Sequence, residues 1–136
     1  MADFLMFVSE QWPLVSLFLA LLYLFLFLER RKAGAQISVH EVTRLLNGGE
    51  ALLVDLRDAR EYEAGHIHQA VNIPQSQLAA RLSELEPFRE RIVVLIDKLG
   101  HQSAGAGRQL GRAGFQVRRL QGGMAEWQAQ SLPVVS

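Results

Sequence analysis

Leu53-Val-Asp-Leu-Arg-Asp-Ala-Arg-Glu-Tyr62 is the stretch on which the fold turns. Its first residues continue an apolar run that opens at Ala51 and meets a charge only near its end, at Leu56. A run without polar alternation is expected of a strand buried on both faces, which is the habit of parallel sheets covered by helices. Asp58 to Ala64 then suits a short helix that Gly65 stops.

The flanking segments extend that alternation of elements. Upstream, Ser38-Val-His-Glu41 is a capping-box pattern, opening a helix that runs to about Asn47 and ends at Gly48-Gly49. Ala33 to Gln36 reads as a short connector. Downstream, Ala70 to Ile73 is a short strand ending at Pro74, and Ser76 to Leu85 carries helical spacing at Leu78, Leu82 and Leu85. Ile92 to Ile96 is a second buried strand, Ser103 to Ala113 a helix closed by Gly114, and Phe115 to Leu120 a strand. Gly122-Gly123 leads into a last helix over Met124 to Gln130, and Leu132-Pro133 closes the domain. Strands alternating with helices predict an α/β fold with a mainly parallel central sheet flanked by helices.

The first 32 residues are of a different kind. Trp12 to Leu28 reads WPLVSLFLALLYLFLFL, without a charge. As a helix these residues span roughly 25 Å, and extension back through Glu10 toward Phe7 reaches the bilayer's hydrocarbon thickness of about 30 Å. Trp12 lies where an interfacial aromatic belongs. Arg30, Arg31 and Lys32 follow the apolar run rather than precede it, the reverse of a signal peptide, although Ala33-Gly34-Ala35 has the small residues of a cleavage site. The expectation is an uncleaved single-pass anchor over residues 1–32, N-terminus outside, carrying a domain over residues 33–136 in the cytoplasm, at a bacterial inner membrane. Ser16 and Ala20 form a small-xxx-small pair that admits a homodimer through the anchor.

The 14 basic and 14 acidic residues balance to zero, so no long-range field calls for a nucleic acid. The chain has no cysteine, which removes disulfides, thiolate metal sites and thiol nucleophiles. His66 and His68 share a side of an extended segment, but only His40 and His101 remain to complete a metal site, so none is expected, nor any cofactor. Trp127 is read as core. Arg108, Arg112, Arg118 and Arg119 are read as a solvated face, with a partner-binding patch as the alternative.

In parallel sheets the ligand crevice lies at the carboxyl ends of the strands. Asp55-Leu-Arg57, Gly65-His-Ile-His68 and Asp97-Lys-Leu-Gly-His-Gln-Ser103 all end there. Asp97 to Ser103 is a glycine-containing loop running from a buried strand into a helix N-terminus, so its backbone N–H groups can line an anion site. Asp55, Arg57 and Glu61, with His66 nearby, are read as a structural ion and hydrogen-bond network under that loop.

The order Leu53-Val-Asp-Leu-Arg-Asp-Ala-Arg-Glu-Tyr62, Gly65-His-Ile67, Ala70, Asn72-Ile73-Pro74, then Leu120-Gln-Gly-Gly123, Trp127 and Leu132-Pro133, resembles the rhodanese-like domain family over about residues 37 to 134. The layout of one helix and one domain is similar to its membrane-anchored, YibN-like members. The resemblance implies a rhodanese-like fold and, in catalytic members, sulfur carried as a persulfide on a cysteine that opens the loop as Cys-x-x-Gly-x-x-Ser. In this chain Gly100 and Ser103 match, Asp97 holds the cysteine position, and Gln102 stands where an arginine often precedes the serine. Lys98 and Leu99 also depart from the usual active loop.

Persulfide transfer needs a thiolate that attacks and then carries the sulfur. A carboxylate cannot hold sulfane sulfur, and no Asp or Glu partner that would orient His101 toward Ser103 is evident within the loop. The expectation is therefore no catalytic residue and no sulfurtransferase turnover: Asp97 plugs a ring of amides, and the domain serves as a binding or scaffold module contacting other membrane proteins. Two alternatives stay open: a protein that presents or relays sulfur with a partner that supplies the cysteine, and a non-catalytic receptor for a small anion.

Overall fold

The computed structural model describes residues 2–136; the side chains of residues 8 and 29–32 lie outside that description, and with them the basic flank Arg30, Arg31 and Lys32. The chain divides into two compact units, Met1–Arg31 and Lys32–Ser136.

The first unit is the helix α1, Ala2–Lys32. Within it Ser9–Leu28 is 20 residues long and apolar enough to cross a membrane, and none of that stretch is buried by protein.

In the second unit, five parallel strands are β1 (Ala35–Ile37), β2 (Ala51–Asp55), β3 (Val71–Asn72), β4 (Ile92–Ile96) and β5 (Gln116–Leu120), in the order β1-β5-β4-β2-β3. The helices are α2 (Val39–Asn47), α3 (Ala59–Ala64), α4 (Ser103–Arg112) and α5 (Gly123–Ala129). Ser38 caps α2, its hydroxyl accepting from the Glu41 N–H at 3.3 Å.

The unbroken apolar runs of β2 and β4 are explained by two cores, one on each face of the sheet. Leu53, Val94, Ile96 and Leu120 pack with Val42, Met124 and Trp127 of α2 and α5. Leu52, Val54, Val93, Leu95 and Val117 pack with Ala106 and Leu110 of α4 and with Leu78 and Leu85. Each such side chain, fully buried, contributes about 1.5–3 kcal/mol.

Two expectations are corrected. The connector at 33–36 is in part the edge strand β1, with Ala35 opposite Arg118 and Gln36 opposite Arg119. Three residues without alternation carry no strand signal of their own; pairing with β5, some 80 residues away, makes them one. The helix expected over Ser76 to Leu85 is instead two 3₁₀ segments, Gln75–Gln77 and Leu82–Phe88. Leu78 and Leu85 are buried as the spacing required, but a tighter coil sets them there.

Candidate functional site

β2 and β4 are neighbours, with Asp55 in register with Ile96, so Asp55 and Asp97 leave the sheet side by side at its carboxyl end. Both carboxylates are buried, Asp55 fully and Asp97 to 2% exposure.

Asp55 is held by Arg57. The guanidinium donates from Nε to Oδ1 at 3.0 Å and from Nη2 to Oδ2 at 2.9 Å, and the Arg57 backbone N–H donates to Oδ1 at 3.0 Å. Nη2 also donates to the Gly65 carbonyl at 2.7 Å, which ties the end of α3 to the strand. The pair is shut from water, at 7% exposure for the arginine side chain. Asn72 braces it, donating from Nδ2 to the carbonyls of Asp55 and Arg57.

The other two members of the expected network lie elsewhere. Glu61, half-buried, makes no hydrogen bond or ion pair to Asp55 or Arg57 and lines the cleft instead. His66 lies just beyond α3 and packs back on it: its ring stacks on Tyr62 with centroids 3.7 Å apart, and its Nδ1 is 2.8 Å from the Tyr62 carbonyl. Four positions separate Arg57 from Glu61 and Tyr62 from His66, but Arg57 precedes α3 and His66 follows it, so the spacing identified neighbours without settling which would bond.

Asp97 has no cation within ion-pair distance among the described residues. Its carboxylate accepts three backbone N–H groups, from Gly100 to Oδ1 at 2.6 Å and from Gln102 and Ser103 to Oδ2 at 2.6 and 3.1 Å. The first N–H groups of a helix have no partner inside it. Here α4, which lacks a side-chain cap at Gln102, receives one from Asp97 across the loop. An ionised acceptor strengthens each of these bonds.

The loop is clamped from the other side by α5, a contact that sequence reasoning missed. Met124 N–H donates to the Asp97 carbonyl at 2.8 Å and Ala125 N–H to the Lys98 carbonyl at 3.0 Å. Only glycines allow this approach. Gly100 has φ +89, and a Cβ there would lie 2.9 Å from Gly122 N; Gly123 has φ +60, and a Cβ there would lie 2.8 Å from Lys98 C and strike the Asp97 carbonyl. Gly122-Gly123 was the available signal, but it could be read only as a helix start.

Ser103 is fully buried, and its Oγ has no hydrogen-bond partner among the described residues. His101 is exposed, so the two do not form a nucleophile–base pair. Lys98 is exposed, as are Gln102 and Leu99, the last at 55%. A cleft of about 450 Å³ opens over the loop, walled by Arg57, Asp58, Glu61, Lys98, Leu99 and His101 among others. The half-buried Arg119 has its pKa pulled below the usual arginine value by burial; the Asp97 carboxylate opposes that shift, and Arg108 adds to it. Among the described residues no three His, Asp or Glu side chains gather as a metal site.

The Rhodanese-like domain family model matches residues 38–130, the whole sheet except β1 together with both loops described above. The chain belongs to the rhodanese-like domain family. The YibN protein of Escherichia coli K12 is 37% identical over 97 residues, covering 70% of this chain and 68% of that protein. A Mycobacterium tuberculosis HTH-type transcriptional regulator, Rv0324, is 42% identical over 94 residues, covering 69% of this chain but 42% of the regulator. Among solved structures, a rhodanese-related protein from Thermoplasma volcanium superposes with a TM-score of 0.68 at 27% identity, covering 74% of this chain and 97% of its own. The thiosulfate sulfurtransferase of Pseudomonas aeruginosa superposes with a TM-score of 0.65 at 26% identity, over 79% of this chain and 21% of its own. The rhodanese-like domain thus recurs both as a nearly whole protein and as one part of a larger one.

Proposed function

We propose that this chain is a single-pass membrane protein whose rhodanese-like domain lies in the cytoplasm and acts as a binding module for membrane-associated proteins, without sulfur transfer. The observation that carries the reading is the Asp97 carboxylate, which occupies the loop position of the family's cysteine and accepts the amides of Gly100, Gln102 and Ser103. Those amides are thereby spent on an internal anion. A negative charge already seated there repels thiosulfate or phosphate, and no thiol exists anywhere in the chain to carry sulfur.

The small-anion receptor reading rests on Arg57, Lys98 and His101 in the cleft walls. It is the weaker one, because Asp58, Glu61 and Asp97 line the same cleft and the Arg57 charge is already committed to Asp55. Anchoring is supported by Ser9–Leu28, and the cytoplasmic side by the Arg30-Arg31-Lys32 flank.

The test is a thiosulfate:cyanide sulfur-transfer assay on the purified full chain. No turnover above a boiled control is expected; turnover sinks the non-catalytic reading. Copurification of a persulfide-bearing partner would favour the sulfur-relay alternative instead.

A further inference from the structure

We propose that the groove over the Asp97 loop docks an extended peptide segment of a partner protein, one that carries an apolar side chain and, two residues away, an arginine or lysine. This rests on the binding-module reading above and gives its partner a chemistry.

Two depressions make up the groove. The cleft of about 450 Å³ lies over the loop, and a second of about 250 Å³ lies between α3 and α5. Arg57, Glu61 and Lys98 line both, so the two are neighbours. Together they have the size of a site for several groups rather than for one ion. Their linings differ. The second is walled by Ala64, Met124 and Ala125 and holds no charge beyond the three shared residues.

The first carries an excess of acid. Arg57 is already matched to Asp55, which leaves the carboxylates of Asp58, Glu61 and Asp97 against the Lys98 ammonium and the His101 ring. Neither Asp58 nor Glu61 makes a side-chain hydrogen bond or an ion pair among the described residues, and Asp58 stands at the head of α3 without capping it. Lys98 is exposed on a flexible four-carbon stem and bonds neither acid. The amides that would draw an anion are filled from within by Asp97. The mouth above them therefore complements a cation.

Leu99 adds the apolar part. Among the described residues of the second unit it is the most exposed large apolar side chain, at 55%, and it lines the cleft. The loop that presents it is fixed. Asp97 accepts the Gly100 and Gln102 amides beyond it, and α5 holds the Asp97 and Lys98 carbonyls before it. A leucine held out on a fixed loop costs little further ordering when a partner covers it, and its burial favours binding. An extended peptide sets alternate side chains on one side, about 6.5 Å apart. An apolar and a basic side chain two residues apart can thus enter the two neighbouring depressions together.

The test uses the full chain in dodecyl maltoside micelles, labelled at glycine with an NMR-active nitrogen isotope. Gly65 lines the second depression and Gly100 belongs to the loop, whereas Gly49 and Gly114 line neither depression. Acetyl-Ser-Leu-Ser-Arg-Ser-amide, or the same residues in reverse order, should shift the Gly65 and Gly100 signals with a Kd of about 1 mM or tighter. Gly49 and Gly114 should stay in place. Glutamate in place of the peptide's arginine should abolish the shifts. Asp58→Asn combined with Glu61→Gln should weaken binding at least about fivefold, and Leu99→Ser severalfold. Glu63→Gln, exposed on α3 but outside the groove, should leave it unchanged. No shift with either arginine peptide, or equal shifts with the glutamate peptide, overturns the proposal. Spermidine shifting both signals as strongly as the peptide also overturns it, since the apolar depression would then have no part. A thiosulfate:cyanide assay on the same sample keeps the two readings apart. Missing shifts without turnover sink the peptide site alone, whereas turnover sinks the non-catalytic reading on which it rests.

Discussion

Asp55 and Asp97 leave adjacent parallel strands at the same end of the sheet, and both are shut away from water, yet different devices stabilise them. Asp55 meets a buried guanidinium in bidentate geometry. Asp97 meets three backbone amides and no cation within ion-pair distance. A buried charge must be paired or fully hydrogen-bonded, and the two sites satisfy that demand in these two ways. The difference separates a brace from a cap. The ion pair ties β2 to the end of α3 through Gly65, whereas the amide cradle fixes the shape of one loop and the start of one helix.

The largest effect should follow from breaking the brace. Asp55→Ala leaves Arg57 buried and uncompensated, at a cost of about 3–5 kcal/mol, read as a fall in the urea midpoint of the full chain in detergent micelles. Adding Arg57→Met to that variant should recover most of the loss, since the destabilisation lies in the orphaned charge. No recovery would mean that the bonds to Gly65 and the backbone, not the pair, hold the region.

Next comes the cap. Asp97→Ala leaves three loop amides without their acceptor and should cost about 2–3 kcal/mol. Because those amides are then left without their anion, the variant should bind sulfate by calorimetry where the parent shows no heat. A variant as stable as the parent would show that the cradle contributes nothing.

Gly123→Ala tests the clamp behind the cap. It places a side chain at φ +60 and 2.8 Å from Lys98 C, with an expected loss of about 1–3 kcal/mol and faster hydrogen exchange at the Gly100 and Ser103 amides.

The smallest effect concerns acid. The carboxyl of Glu84 sits below its usual value of 4.5, chiefly through the hydrogen bond from Arg81, and Glu86 is lowered in the same way by Arg89. A carboxyl lowered by folding contributes stability above its unfolded value, and that contribution is lost as pH falls through the folded one. Glu84→Gln should therefore remove a small contribution that is present at neutral pH, and so flatten the fall of the stability curve below about pH 4.5. Both groups are exposed, so only a small change in the slope of acid unfolding is expected.

Much of this was legible in local sequence. Ser38 and Glu41 announce α2 because a cap involves residues three apart. The runs at Ala51 and Ile92 announce central strands because two-sided burial removes alternation. Asp55 and Arg57 announce their pairing because two residues along an extended chain bring carboxylate and guanidinium within reach. Glu61 misled because closeness in sequence to Asp55 and Arg57 says which residues are neighbours but not which side chains bond. Gln75 to Phe88 misled because leucines at helical spacing can be buried equally by 3₁₀ turns.

By itself, the sequence determined the alternating α/β order, the apolar helix at the N-terminus, and the absence of a thiol from a loop that in catalytic relatives needs one. These follow from composition and short-range spacing. Only the tertiary structure decided that Ala35 to Ile37 is a strand, that α5 grips the loop through Gly123, and that Asp97 turns inward as a cap. Each of these depends on contacts between segments far apart in the chain, where the energy of pairing and burial is set by the partner and not by the residue's own neighbours.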